Sequence, residues 1–118
     1  MKEREAVSIE SNWKQTLSFF EERFGEGLDL DAVLFLIGIQ ELGKGMQDFN
    51  KDEKTDVLHI AVCTLLEPYG FYEYIGNDEA GWPHFKRTEK LPFLTPQEQD
   101  KLIKEAIADY VERYLSSN

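Results

Sequence analysis

The stretch of this chain that most constrains its fold is AVLFLIGIQEL, residues 32–42, which is apolar at almost every position. Asp29 or Asp31 can accept the free backbone N–H groups at its start, and two glycines follow it, so it predicts a helix from Asp31 to Leu42. Such a helix must be covered on most of its sides. Gly38 costs ~1 kcal/mol there relative to Ala, and a close approach by another helix would offset that cost.

A first helix is predicted over residues 8–24, because its apolar residues recur at helical spacing before Gly25 and Gly27. This apolar stripe consists of Trp13, Leu17, Phe20 and Phe24. Together with the buried second helix, it indicates a helical core built from several amphipathic faces.

Two further helices have capping signals at their starts. Asn50 followed by Glu53 fits an N-cap with a reciprocal carboxylate, which predicts a third helix from about Lys51. The motif TPQE places Thr95 at the N-cap of a fourth helix, with proline at the first helical position and Glu98 as the capping partner. The apolar stripe of this fourth helix consists of Ile103, Ile107, Tyr110 and Tyr114.

A β-hairpin is predicted between the third and fourth helices. FYEYI, residues 71–75, and WPHFKRT, residues 82–88, are rich in strand-forming residues, and GNDEAG between them has turn chemistry. Pro83 has no N–H to donate, so its strand should be an edge strand. The stretch GNDEAGWPHF could form a metal loop, a ligand lip or a turn. We interpret it as a hairpin tip anchored by Trp82, with a ligand lip as the second choice.

These elements predict an α+β, mainly α fold in a single domain covering residues 1–118, with four helices and the hairpin between the third and fourth. The run HIAVCTLLEPYGFYEYIGNDEAG resembles the passage from recognition helix to wing in a winged-helix domain, a family in which these elements contact DNA. The chain is also similar to small uncharacterised bacterial proteins that have a GWPH stretch after three helices. That second resemblance implies no activity.

The charge of the chain opposes nucleic-acid binding. The chain has 13 Lys and Arg against 23 Asp and Glu, which gives a net charge of −10. The predicted DNA-reading helix begins with Asp52, Glu53 and Asp56, and these carboxylates would repel phosphate. Lys86, Arg87 and a lysine at position 90 form one small basic cluster that could anchor an acidic group of a partner. We therefore expect no nucleic-acid partner.

Candidate chemistry on the third helix centres on Asp56, His59 and Cys63, which share one helical face. A thiolate beside an imidazole can act as a nucleophile, and His with Cys can bind zinc. The chain has one cysteine, however, and its apolar neighbours favour a buried, inert thiol. Asp48 and the residues after it begin like an EF-hand loop, but the glycine and glutamate that the loop requires are absent. We expect no metal, no cofactor and no catalytic residue.

Glu41 ends the apolar second helix, so it is either an unusual buried carboxylate or, as we favour, a side chain that points to solvent. The candidate binding residues are Trp82, His84, Lys86, Arg87, Glu41 and His59.

The leading functional hypothesis is an acidic, non-enzymatic interaction or regulatory module. The alternatives are a winged-helix nucleic-acid-binding protein and a small-ligand or metal-dependent enzyme. The charged N-terminus, the absence of an apolar run of ~18 residues and the single cysteine predict a cytoplasmic protein without a membrane segment. Aromatic residues on both faces of the hairpin suggest an exposed apolar patch, for which we hypothesise a homodimer or another protein partner, as yet unknown.

Overall fold

A computed structural model describes residues 2–45 and 47–115, with side chains described for residues 13–45 and 47–113. The four helices are α1, Lys2–Phe24; α2, Leu30–Leu42; α3, Lys51–Leu66; and α4, Pro96–Tyr110. Strands β1, Tyr72–Asn77, and β2, Pro83–Arg87, form an antiparallel hairpin between α3 and α4. The predicted fold class is therefore confirmed. No helix in the described part of the chain is long and apolar enough to cross a membrane.

Helix α1 begins six residues earlier than predicted, because the charged segment before residue 8 consists mostly of good helix formers. Both predicted capping boxes are present. The side chain of Asn50 accepts from the backbone N–H of Glu53, and that of Thr95 accepts from the backbone N–H of Glu98; each glutamate carboxylate accepts in return from the N-cap backbone N–H. The side chain of Tyr114 lies outside the described residues.

The chain divides into two compact units. The first contains α1 and α4, which contact each other, and the second spans Asp31–Phe93 with α2, α3 and the hairpin. The prediction of a single domain over residues 1–118 stays a prediction. In the first unit, Thr16 and Phe20 of α1 are buried, as are four residues of α4, namely Ile103, Ala106, Ile107 and Tyr110. Phe24 is 56% exposed at the end of α1, so the predicted stripe does not stay buried to its last residue.

In the second unit, α2 and α3 cross at Gly38. A methyl group added there would meet the carbonyl oxygen of Val57, and would lie 2.7 Å from its Cγ1 atom. The predicted close approach of another helix is therefore confirmed. The buried side chains of these two helices are Val33, Leu34, Ile37 and Leu42 of α2, and Val57, Ile60, Ala61, Cys63, Leu65 and Leu66 of α3.

An aromatic cluster joins the hairpin to these two helices. Phe49, which lies between α2 and α3, is buried and makes edge-to-face contacts with Phe35 and Trp82, at ring-centroid distances of 6.0 and 6.1 Å. Trp82 thus anchors the hairpin tip on the helices, as the turn interpretation predicted. Its ring packs against the buried cluster that contains Leu42, Phe49, Val57 and Ile60.

Candidate functional site

The hairpin tip is organised by Asp78. The backbone N–H of Asp78 donates to the carbonyl oxygen of Trp82 at 2.9 Å, and Gly81, with φ of 87°, donates its N–H to the carbonyl oxygen of Asp78 at 3.0 Å. The Asp78 carboxylate accepts the backbone N–H groups of Ala80 and Trp82 through Oδ1, at 3.0 and 2.9 Å. An Asp at the first position and a left-handed Gly at the fourth are what a tight turn closing a hairpin requires. The stretch therefore forms the hairpin turn that we predicted, and a role as a ligand lip stays a prediction.

The side chain of His84 contacts the same carboxylate. Its Nε2 atom lies 3.0 Å from Oδ2 of Asp78, so the two oxygens of Asp78 hold the turn and the following strand together. The hydrogen bond with His84, followed by the one from the backbone N–H of Trp82, lowers the pKa of Asp78 below its ordinary value. Asp78 therefore remains a carboxylate at neutral pH.

Both histidines of the chain face one pocket of about 200 Å³, which we name the imidazole pocket. Its lining residues include Asp56, His59, Asp78, Trp82, His84 and Phe85. Among the residues with described side chains, no group of three or more His, Cys, Asp or Glu is arranged to hold a metal ion. The pocket therefore places two imidazoles close together without the geometry of a metal centre.

His59 also approaches Cys63, as their spacing on α3 predicted, with 3.4 Å between Nε2 and Sγ. Cys63 is fully buried, and this burial raises the pKa of its thiol to about 12. A thiol with so high a pKa stays protonated at neutral pH, so it is a poor nucleophile and a poor metal ligand. The ring of Tyr72 covers His59 edge-on at 6.2 Å, and burial raises the pKa of that phenol as well.

A second pocket, of about 320 Å³, lies between the hairpin and the ends of α2 and α3. We name it the acidic aromatic pocket. Its lining residues include Glu41, Thr64, Glu67, Tyr74, Asn77 and Phe85. The rings of Tyr74 and Phe85 contact each other at 5.6 Å, and the Tyr74 hydroxyl donates to Oδ1 of Asn77 at 2.5 Å. Two carboxylates and two rings thus face the same space.

The six predicted site residues do not form one site. Trp82, His84 and His59 meet in the imidazole pocket, whereas Glu41 is exposed and lines the acidic aromatic pocket. Lys86 pairs across the strands with Glu73, and Arg87 with Tyr72. Because successive strand residues point to opposite faces, the side chains of Lys86 and Arg87 lie on opposite faces of the hairpin.

Sequence reasoning predicted an exposed apolar patch on the aromatic hairpin but did not identify Ile75 as part of it. The register of the strands shifts between Tyr74 and Gly76, so Ile75 is an extra residue in β1, a β-bulge. Ile75 is 59% exposed and Tyr74 46% exposed. The glycine at 76, with φ of 109°, is the one sequence signal that could have indicated an irregular strand here.

Comparison of the chain with models of known protein families, with curated proteins and with solved structures gave no match.

Proposed function

We propose that the protein is an acidic, non-enzymatic interaction module that binds a protein partner through its hairpin. The observation that carries this proposal is the exposure of two neighbouring hairpin residues, Ile75 and Tyr74, the second of which lines the acidic aromatic pocket. An isoleucine that is 59% exposed at a bulge adds little to the core, and exposed apolar side chains that lie together are typical of interaction surfaces.

The buried Cys63 and the separation of the candidate residues favour this function over the enzyme alternative. A nucleophile would need a thiol of lowered pKa, and burial raises that of Cys63. A thiol-reactive probe should therefore label folded protein slowly and denatured protein fast. Fast labelling of the folded chain would restore the Cys–His enzyme hypothesis.

The charge of the chain makes a basic partner more favourable than a second copy, because two chains of −10 repel each other. The homodimer remains the second candidate, since Ile75 and Tyr74 could meet their own copies across a two-fold axis. Sedimentation equilibrium at micromolar concentration separates the two. A basic partner predicts a mass of 13.7 kDa for the isolated chain at every loading, whereas a dimer predicts twice that mass.

Site-specific photo-crosslinking in the native cell tests the proposal. A photoreactive amino acid is placed at position 75 in one protein and at position 93 in another, because Phe93 is fully exposed in the same unit but lies outside the hairpin. We expect a discrete crosslinked product from position 75 that position 93 does not give. The same products from both positions would contradict the proposal.

The crosslinked partner is then purified and its affinity for two variants is measured. Ile75→Asp should weaken binding by about tenfold or more, since a charge at the centre of an apolar contact is costly. Phe93→Asp adds the same charge elsewhere and should leave the affinity unchanged.

A further inference from the structure

The acidic aromatic pocket combines two chemical features, carboxylates and aromatic rings. Glu41 and Glu67 bring carboxylates to it from the end of α2 and from the turn after α3. Tyr74 and Phe85 bring aromatic rings from the two strands, where they are direct cross-strand partners. Among the described residues that line the pocket, none is Lys, Arg or His.

Carboxylates and aromatic rings favour the same kind of ligand group. Carboxylates attract cations, and the negative face of an aromatic ring does so as well. A guanidinium group satisfies both, because its planar fork donates to carboxylate oxygens while its face stacks on a ring. The volume of about 320 Å³ lies at the lower end of ligand pockets, which suits one long side chain better than a whole cofactor.

Lys44 lies near this pocket. The ammonium of Lys44 donates to the carbonyl oxygen of Ala80, next to the wall residue Gly81. Lys44 therefore places one positive charge beside the Gly81 wall of the pocket, and this charge will weaken the attraction of the pocket for a second cation. Removing the Lys44 charge should strengthen cation binding, whereas removing a carboxylate of the pocket should weaken it.

We propose that the acidic aromatic pocket binds the guanidinium of an arginine side chain presented by the protein partner. This inference rests on the proposed function, because the arginine belongs to the partner that contacts Ile75. The pocket supplies the charge selectivity, and the exposed apolar residues supply the remaining contact area.

Nuclear magnetic resonance titration of the full chain with Nα-acetyl-arginine amide tests the pocket without the partner. We expect saturable amide shifts at Thr64, Tyr74 and Gly81, with a Kd on the order of 1 mM for so small a probe. The citrulline analogue has nearly the same shape without the charge, and the lysine analogue has the charge without the planar fork. Both should bind at least about threefold more weakly than the arginine probe.

Three variants sharpen the titration. Glu67→Gln should weaken binding of the arginine probe about threefold, the loss expected for one partly exposed ion pair, and Lys44→Gln should strengthen it. Glu79→Gln removes the same charge from the exposed hairpin tip, outside the lining of the pocket, and should change the Kd less than Glu67→Gln does.

Equal shifts with the citrulline probe, or shifts located away from the pocket, would overturn the proposal. Equal binding of the lysine probe would overturn the choice of arginine. These failures differ from failure of the proposed function. If crosslinking at position 75 still captures a partner whose affinity is unchanged by Glu67→Gln, the interaction module stands and the arginine pocket does not.

Discussion

The helix crossing at Gly38 and the bulge at Ile75 lie in the same compact unit, and their surroundings are opposite. At Gly38 even a methyl group would meet the backbone of α3, whereas the isoleucine at position 75 is 59% exposed. Glycine, the smallest residue, therefore occupies the close contact between the helices, and the larger isoleucine occupies an exposed position on the hairpin. The two helices thus make their close contact at a glycine, whereas the hairpin exposes an apolar side chain, where we propose that a partner binds.

The largest expected effect is at the crossing. Gly38→Ala should lower the free energy of unfolding by about 2 kcal/mol, because the Val57 carbonyl that the new methyl group meets is backbone and cannot move aside cheaply. That loss outweighs the ~1 kcal/mol that Ala gains over Gly within a helix. Urea denaturation measures the change. A stabilised variant would show that the two helices do not approach so closely.

Gly43→Ala is the matched control. Gly43 has open space around it but a φ of 74°, so its substitution strains the backbone without creating a clash. We expect a loss of about 1 kcal/mol, smaller than that at Gly38.

The effect expected at Trp82, whose ring joins the hairpin to the helices, is comparable to that at Gly38 or slightly smaller. Trp82→Ala should destabilise the chain by about 1–2 kcal/mol, less than for a fully buried ring, because the half-buried indole packs on Phe49. Phe93→Ala, at a fully exposed ring, should leave the denaturation midpoint unchanged. An unchanged midpoint for Trp82→Ala would place its ring outside the packing of the helices.

The pH dependence of the hairpin turn should be smaller still. The pKa of Asp78 lies below its ordinary value of 3.8 in the folded chain, so its carboxylate stabilises the fold above about pH 4. This contribution is lost as the pH falls through the lowered pKa. The amide resonance of Trp82, which donates to that carboxylate, should move in this range in the wild-type chain.

Two variants identify the group that titrates. Asp78→Asn should abolish the movement of the Trp82 resonance. His84→Ala removes the main cause of the lowered pKa, so the midpoint should rise toward 3.8. An unchanged titration midpoint in the His84→Ala variant would show that the hydrogen bond with His84 does not stabilise the Asp78 carboxylate.

The smallest effect on stability is expected at the bulge. Ile75→Asp should change the free energy of unfolding by less than about 0.5 kcal/mol, because the side chain is largely in solvent. A chemical denaturation curve alongside wild type checks this. A large loss would mean that Ile75 supports the fold, and that its exposure does not mark a binding surface.

Sequence patterns predicted the features that depend on nearby residues. Each capping box spans four positions, from Asn50 to Glu53 and from Thr95 to Glu98, and both form as predicted. The contact of His59 with Cys63 follows from their spacing on one helical face. Helix periodicity and capping chemistry act over one or two turns, so a single sequence contains what they need.

The candidate site depended on strand register, and that could not be predicted from the sequence. The bulge at Ile75 decides which residues of β1 face those of β2, and a shift of one residue reverses the direction of every side chain beyond it. Pairing of Tyr74 with Phe85, and of Lys86 with Glu73, follows from that register. Sequence reasoning therefore grouped Lys86 with Arg87 and overlooked the pair of rings.

Both strands of the hairpin are edge strands, because its sheet has two strands within the described part of the chain. An unprotected edge invites other chains to add strands and grow into aggregates. Here Pro83 cannot donate a backbone hydrogen bond, and the irregularity at Ile75 interrupts the ladder on the other strand. The same bulge that exposes an isoleucine thus makes the backbone beside it a poor template for the addition of another strand.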